Sequence, residues 1–382
     1  MRLAALFLSD NNLTHWHRKV KWGFYIPVIS KCNTGRFERL DRITCTIDDI
    51  VIQKNSGDRT EKQLIVQRSM TMDKKYIGVD VGGTSVKLGI VDGQGNVLEQ
   101  REVIYSEEKD RRSMMDVITD SIHSLADDNG GIGKFSGIGV SAAGCINSVT
   151  GSVAGNGGNV KGWSNTQVCR ILTDEFGLPA ALANDANCAI LGELWTGAAQ
   201  GYTDVLGITL GTGVGGGVIT GGKLLEGAHG FAGELGHFTT HAGGEHCICG
   251  QDGCYERYAS TSALIRTAEE TDPEFSSGRI IFRAVEEGDQ RAAAVLDKWI
   301  SEIAYGIAGF VHVFDPQIIL IGGGVSAQQK LLIQPLKEKV LSMIMPDFAA
   351  DLQFRSAALG NNAGLVGAVY YLLSKELFSD NM

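Results

Sequence analysis

No apolar run in this chain approaches the roughly 20 residues that span a bilayer, so no membrane-crossing segment is expected. The opening MRLAALFLSDNN carries a single arginine and soon turns polar, which reads as no signal peptide. Basic residues are outnumbered: 34 Lys+Arg against 44 Asp+Glu give a net charge of −10. That balance argues against general binding to nucleic-acid phosphates, though it leaves room for a small basic DNA-reading module. Without an export signal the expected compartment is the cytoplasm, where thiols stay reduced. Any close grouping among the 8 cysteines then reads as a metal site before it reads as a disulfide.

The chain does have length, apolar content and glycine. Its 382 residues allow two or three domains. A content of 43% apolar and 20% charged residues is enough to bury real cores. The 50 glycines exceed the usual share of about 7%. They come in short clusters with apolar neighbours (GVDVGGTSVK, LGTGVGGGVI, LIGGGVS) and not as a tandem repeat. This pattern points to tight turns, or to backbone brought close to a ligand.

Composition changes at Met72. Residues 1–72 hold 12 Lys+Arg, 7 Asp+Glu and three of the glycines, with no sustained helical or strand period. The segment reads as a disordered or loosely attached extension, or as leader before a natural start at Met72 or Met70. A small folded domain is the other reading. From Lys74 the pattern is regular. KYIGVDVGGTSVKLGIVDGQGNVLEQREVI alternates like a β-meander, and Met114, Val117, Ile118, Ile122 and Leu125 have helical spacing. GIGVSAAG reads as a buried strand. Helices are expected over Asn165–Phe176 and Ala186–Ala199, around the short strand PAALAND. DVLGITLGTGVGGGVITGGKLL reads as a second hairpin. A long helix over Ala292–Val313 should end at Asp315-Pro316 and feed the strand of QIILIGGGVS, and Ala363–Leu377 closes the chain as a helix. Two meander starts, each followed by helices, imply a duplicated α/β plan.

GTGVGG, Gly211–Gly216, matches G-x-G-x-x-G, but a dinucleotide fingerprint needs a helix directly after the glycines. Here VITGGKLL follows, and SVKLGIV follows Asp80-Val-Gly-Gly-Thr84. Both loops therefore read as hairpin tips. Such tips can still offer backbone N–H groups to phosphate, and the run Gly322–Gly324 adds a third glycine element. Lys87 reads as a solvated strand residue. Asp185, after the strand PAALAND, reads either as a helix N-cap or as a general base. Asp80 reads either as the plain end of a strand or, if the hairpin holds phosphate, as a carboxylate for Mg²⁺, which takes one or two carboxylates with phosphate oxygens and water. Cys247, Cys249 and Cys254 supply three soft ligands. Spacing leaves His237, His241 and His246 as candidates for the fourth, although His246 abuts Cys247 and would strain the loop. Four protein ligands would make a closed, structural Zn²⁺ site. Cys32, Cys45, Cys145, Cys169 and Cys188 read as scattered packing thiols.

GVDVGGTSVKLGIVD, LANDANCAILGE, TLGTGVGGGVI, GFAGELGH, CICGQDGCYE and IILIGGGVS occur in this order from about Tyr76 to Leu377. Together they resemble the ROK family of sugar kinases and sugar-responsive repressors, within the actin-like ATPase superfamily. The resemblance implies an α/β fold of two ribonuclease-H-like domains with a cleft between them. The expected small domain is 73–190, completed by a C-terminal helix of about 363–377, and the large domain is 191–362. The implied activity is ATP-dependent phosphorylation of a hexose at its 6-hydroxyl. Glucose is the first expected substrate, with N-acetylmannosamine, N-acetylglucosamine or a β-glucoside as alternatives.

The resemblance assigns ATP phosphates to Asp80, Gly82, Gly83 and Thr84 with Gly211, Thr212, Gly213 and Gly215, and the adenosine to Gly322, Gly323 and Gly324. It makes Asp185 the base and places Asn159, Asn184, Glu234, His237 and Glu256 around the sugar. Its H-x9-C-x-C-x4-C spacing selects His237 as the zinc ligand beside Cys247, Cys249 and Cys254. Homodimers or homotetramers are implied. The chain departs from the pattern at Ala143 and Asn147, where many members carry proline and aspartate. A family repressor would need an N-terminal helix-turn-helix, and NNLTHWHRKVKWGFYIPVISKCNTG does not read as one, because Pro27 and the aromatic run break helical spacing.

Overall fold

The computed structural model describes residues 74–105, 112–154 and 163–379, together with five short strands before them. Residues 1–72 and 73–382 are two separate compact units. In the first, Leu6–Leu8 and Val28–Lys31 pair in parallel, Phe37–Arg39 joins antiparallel, and Arg42–Cys45 pairs with Ile50–Gln53.

The second unit contains the same sheet twice. One sheet runs, in spatial order, Ala180–Asn184, Phe135–Ala142, Lys75–Val81, Ser85–Asp92 and Val97–Ile104. The last three strands form an antiparallel meander, and the first two add in parallel. The other sheet runs Lys223–Leu224, Val214–Thr220, Val205–Leu210, Ile318–Gly322 and Gln353–Ser356. Again the first three strands in the chain form a meander and the last two add in parallel. In each half the chain makes a meander and returns twice through helices to the same edge. This is the duplicated plan expected from the sequence, and both glycine loops are hairpin tips.

Each sheet has its own core. Ile77, Val79, Leu88, Ile118, Ile122, Ile138 and Leu182 belong to one, and Leu206, Ile208, Leu264, Ile303, Ile307, Ile319 and Ile321 to the other. Helix ends follow local chemistry. The Ser113 side chain accepts from the Asp116 N–H, and the Asp116 side chain accepts from the Ser113 N–H, a capping box that opens Met114–Asp128. The long helix Gln290–Phe314 starts at Asp289 and ends where Asp315 turns left-handed, just before Pro316. The helix expected from Asn165 begins only at Val168, because Asn165 is left-handed at φ 62°.

The C-terminal helix Ala363–Ser379 packs on the first sheet and along the helix Asp185–Trp195. Glycines permit this approach. A Cβ on Gly367 would lie 1.6 Å from the Cys188 carbonyl oxygen, whereas one on Gly309, also helical, would meet nothing within 4 Å. Gly367→Ala should therefore force the helices apart and cost about 1–3 kcal/mol or more. Gly309→Ala should be neutral or stabilise by roughly 0.5–1 kcal/mol. Urea unfolding of both variants checks the pair, and equal effects would contradict the packing argument.

Candidate active site

Two carboxylates stand at strand ends of the first sheet. Asp80 lies near the end of Lys75–Val81 and is half-buried. Burial raises its pKa, opposed by a hydrogen bond from Ser141 and by the charge of Lys87. Lys87 is its cross-strand partner in the hairpin, so this lysine faces the carboxylate and is not simply solvated. Asp185 follows Ala180–Asn184 and is the first residue of the next helix. The cap is Asn184, whose Oδ1 accepts from the N–H groups of Ala186 and Asn187 at 2.9 and 3.3 Å. Asp185 is therefore not the cap, although its Oδ1 shares the Ala186 N–H, and its side chain is exposed at the surface of the site. Crowding on its protein side raises its pKa and nearby Asp80 adds to the rise, against the Ala186 N–H, which donates to it at 2.8 Å.

The second half supplies a loop facing these groups. Glu234 feels Asp185, Glu256 and His237 as near charges, and burial raises its pKa. The Glu256 carboxylate accepts from the Val214 N–H at 3.3 Å. A Cβ on Gly213 would strike that same carboxylate at 2.3 Å, so the glycine tip and the Glu256 loop meet directly. Cys145 lies near Glu234, a neighbour that no sequence pattern announced. Asn159 lies outside the described residues. Asn147 accepts from the N–H groups of Val149 and Thr150 and so closes a turn.

His237, Cys247, Cys249 and Cys254 bring their ligand atoms within 4.8 Å of one another. His237 Nδ1 lies 3.6 Å from Cys247 Sγ, and Cys249 Sγ lies 3.5 Å from Cys254 Sγ. Tetrahedral bonds of about 2.3 Å to sulfur and 2.0–2.1 Å to nitrogen would set such atoms roughly 3.6–3.8 Å apart, so the set fits a closed four-ligand metal site. The other two histidines are engaged elsewhere. His241 stacks on Tyr258 with ring centroids 3.8 Å apart, and His246 Nδ1 lies 2.8 Å from Asp252.

The glycine tips differ in use. Gly83 and Thr84 are exposed at one tip and Thr212 at the other. Gly215 packs over Ala186, where a Cβ would meet the Ala186 methyl at 2.8 Å. Beside the second tip a cavity of about 410 Å³ is lined by Thr212, Ile265, Arg279, Phe282, Gly324 and Gln328, among others. Of the third glycine run only Gly324 lines it. Gly323, at φ 91°, sets its backbone against Leu210, and Gly322 lies against Thr209. Arg279, Phe282 and Gln328 come from segments that carry no motif.

Two duplicated sheets with carboxylates and glycine tips at their facing ends define a two-domain actin-like ATPase fold. The chain belongs to the ROK family, whose model, described as "ROK family", matches residues 76–375. It is 35% identical over 308 residues to a glucokinase of Thermotoga maritima, covering 77% of this chain and 96% of that one. Among solved structures it resembles a ROK family glucokinase from Streptomyces griseus in complex with glucose and AMPPNP, at 32% identity and a TM-score of 0.65, covering 77% and 97% of the two chains. It also resembles the ROK hexokinase of Thermus thermophilus, at 32% identity and a TM-score of 0.69, covering 79% and 99%.

The raised pKa of Asp80 makes a stability prediction. An acid whose folded pKa lies above its ordinary 3.8 binds its proton more tightly when folded. Its ionisation then costs folding stability as pH rises from about 4 through the folded value. Asp80→Asn should raise the melting temperature of the ligand-free protein at pH 7, with a gain that shrinks as pH approaches 4. A gain that is absent at pH 7, or that grows on acidification, would contradict this.

Proposed function

We propose that the chain is an ATP-dependent hexokinase that phosphorylates glucose at the 6-hydroxyl. The observation that carries this reading is Asp185. It directly follows the Asn184 cap, is exposed, and is close enough to Glu234 for their charges to interact. A hexose between these groups would hydrogen-bond to Asn184, Glu234 and Glu256, because carboxylates accept from sugar hydroxyls. His237 turns Nδ1 toward Cys247 and so keeps Nε2 for the sugar.

Asp185 accepts the proton of the 6-hydroxyl as its oxygen attacks the terminal phosphorus. The bond from that phosphorus to the bridging oxygen breaks, giving hexose 6-phosphate and ADP. The tips hold the phosphates through the backbone N–H groups of Gly83, Thr84, Thr212 and Gly213, those of Gly82 and Gly211 being bonded to the Ser85 and Gly213 carbonyls, and the cavity beside Gly324 and Phe282 takes the adenosine. Mg²⁺, when bound, neutralises charge on the phosphates, and Asp80 is the carboxylate that would hold it. Zn²⁺ would be held by His237, Cys247, Cys249 and Cys254 as a structural cross-link between the two ends of the sugar loop.

The decisive screen measures ATP consumption over glucose, mannose, N-acetylmannosamine, N-acetylglucosamine and a β-glucoside. Glucose should give the highest kcat/KM, and no turnover with any sugar would overturn the reading. Asp185→Asn should lower kcat by about 10²–10⁴ while glucose binding by calorimetry persists, and activity within about threefold of the parent would remove Asp185 as the base. One zinc should copurify per chain. Cys249→Ser should lose it, with a lower melting temperature and a higher KM for the sugar, and a smaller fall in kcat. Fully active parent protein without zinc would end the structural-metal assignment.

A further inference from the structure

An aspartate's carboxylate rotates about a broad, nearly two-fold torsion. A metal-holding carboxylate near the end of a strand therefore needs something to fix it. Two neighbours do so at Asp80. Ser141 is its register partner on the parallel strand Phe135–Ala142 and is fully buried. Its hydroxyl donates to Asp80 Oδ1 at 2.7 Å. The thiol of Cys188, also fully buried, lies against the same hydroxyl, so Ser141 has no solvent to turn toward. On the other side is Gly364, the second residue of the helix Ala363–Ser379. A Cβ there would lie 2.9 Å from both Cγ and Oδ1 of Asp80 and 3.1 Å from Oδ2. Among the described residues no hydrogen bond reaches Oδ2.

We propose that Ser141 and Gly364 are positioning residues for the kinase reaction. They clamp Asp80 with Oδ1 engaged so that Oδ2 is presented to the Mg²⁺ of the nucleotide. This rests on the reading of Asp80 as the metal-side carboxylate. Ser141 supplies the directional hydrogen bond. Gly364 supplies the absence of a side chain, without which the carboxylate would be displaced from that bond. Neither residue reaches the sugar loop, so the clamp should act on metal and nucleotide and leave the hexose alone. Removing the partner that orients a metal-holding group typically weakens metal affinity or activity by about 10–100-fold.

The test uses the full chain and two variants that disturb the clamp differently, Ser141→Ala and Gly364→Ala, with Asp80→Asn as reference. Free Mn²⁺ is followed by its paramagnetic resonance signal in the presence of ATP, and the Mg²⁺ concentration for half-maximal turnover is measured in parallel. Both clamp variants should weaken Mn²⁺ retention and raise the Mg²⁺ requirement by about 10-fold or more, with the KM for glucose unchanged. If Asp80→Asn weakens Mn²⁺ retention while Ser141→Ala and Gly364→Ala do not, the clamp is wrong and the metal reading of Asp80 stands. If Asp80→Asn itself leaves retention unchanged, the metal reading fails and the clamp fails with it. A rise in the KM for glucose equal to the loss of Mn²⁺ retention would mark a merely structural role and also overturn the proposal.

Discussion

Backbone lies directly on backbone where the C-terminal helix Ala363–Ser379 crosses the first sheet, and the catalytic half depends on that contact. A Cβ on Gly139 would sit 2.3 Å from the Ala368 carbonyl oxygen, and one on Gly192 would sit 2.6 Å from that of Ala363. With Gly367 against Cys188, three elements meet at glycine: the strand Phe135–Ala142, the Asp185–Trp195 helix and the closing helix. The contact sets two positions at once. It brings the first turn of the closing helix to Asp80, and it fixes the helix whose first residue is Asp185. The glycine excess thus has two uses, turns at the ligand side and close approach beneath it.

Polar anchors complete what the glycines begin. Glu193 is 1% exposed, and its carboxylate accepts from the N–H groups of Ala198, Ala358 and Leu359, each at 2.7 Å. A buried carboxylate left unpaired would be strongly destabilising. Three donors hold this one, and they tie the end of the Asp185 helix to the segment that leads into the closing helix. Glu226 makes a second tie. It pairs with Lys375 at 2.9 and 3.0 Å, accepts from Ser148 at 2.8 Å, and takes the hydroxyl hydrogen of Tyr371. The loop that leaves the second sheet is thereby joined to the closing helix and to the first half.

Much of this was legible in the sequence because the informative residues are local. Alternation around DVGGT and GTGVGGG marks strands on both sides of a turn, which separates hairpin tips from a helix-opening dinucleotide loop. Cysteine spacing alone locates the metal-site candidates, but it leaves three histidines open, and the fold separates them by giving His241 to Tyr258 and His246 to Asp252. The pair Asn184-Asp185 also has two local readings, since either residue could cap. Only the hydrogen bonds show Asn184 doing so. Ser141 reads as an ordinary residue of a buried strand, because its partner is 61 positions away. Arg279 and Phe282 of the helix Gly278–Glu286 likewise meet the distant Gln328 around one cavity, and no local pattern could unite them. A single glycine such as Gly139 is not marked out by its neighbours in sequence, because its meaning lies in the backbone it touches.

The arrangement also separates grip from chemistry. The proposed phosphate contacts fall on hairpin tips that join neighbouring strands of each meander, so the backbone N–H groups there are held by the meander and not by side chains. The proposed sugar contacts His237 and Glu256 bracket a loop with only two isolated bridges, Thr239 with Cys254 and His246 with Asp252, between a short 3-10 turn at Leu235–His237 and the helix Glu256–Ala259. A loop of that kind loses conformational freedom when it orders around a ligand. A metal held by His237, Cys247, Cys249 and Cys254 would remove much of that freedom in advance by joining the two ends proposed to contact the sugar. Glu256 gains a second restraint from the Val214 N–H at the edge of the glycine tip. The sugar loop and the phosphate tip therefore share one fixed point, and displacement of either is felt at the other.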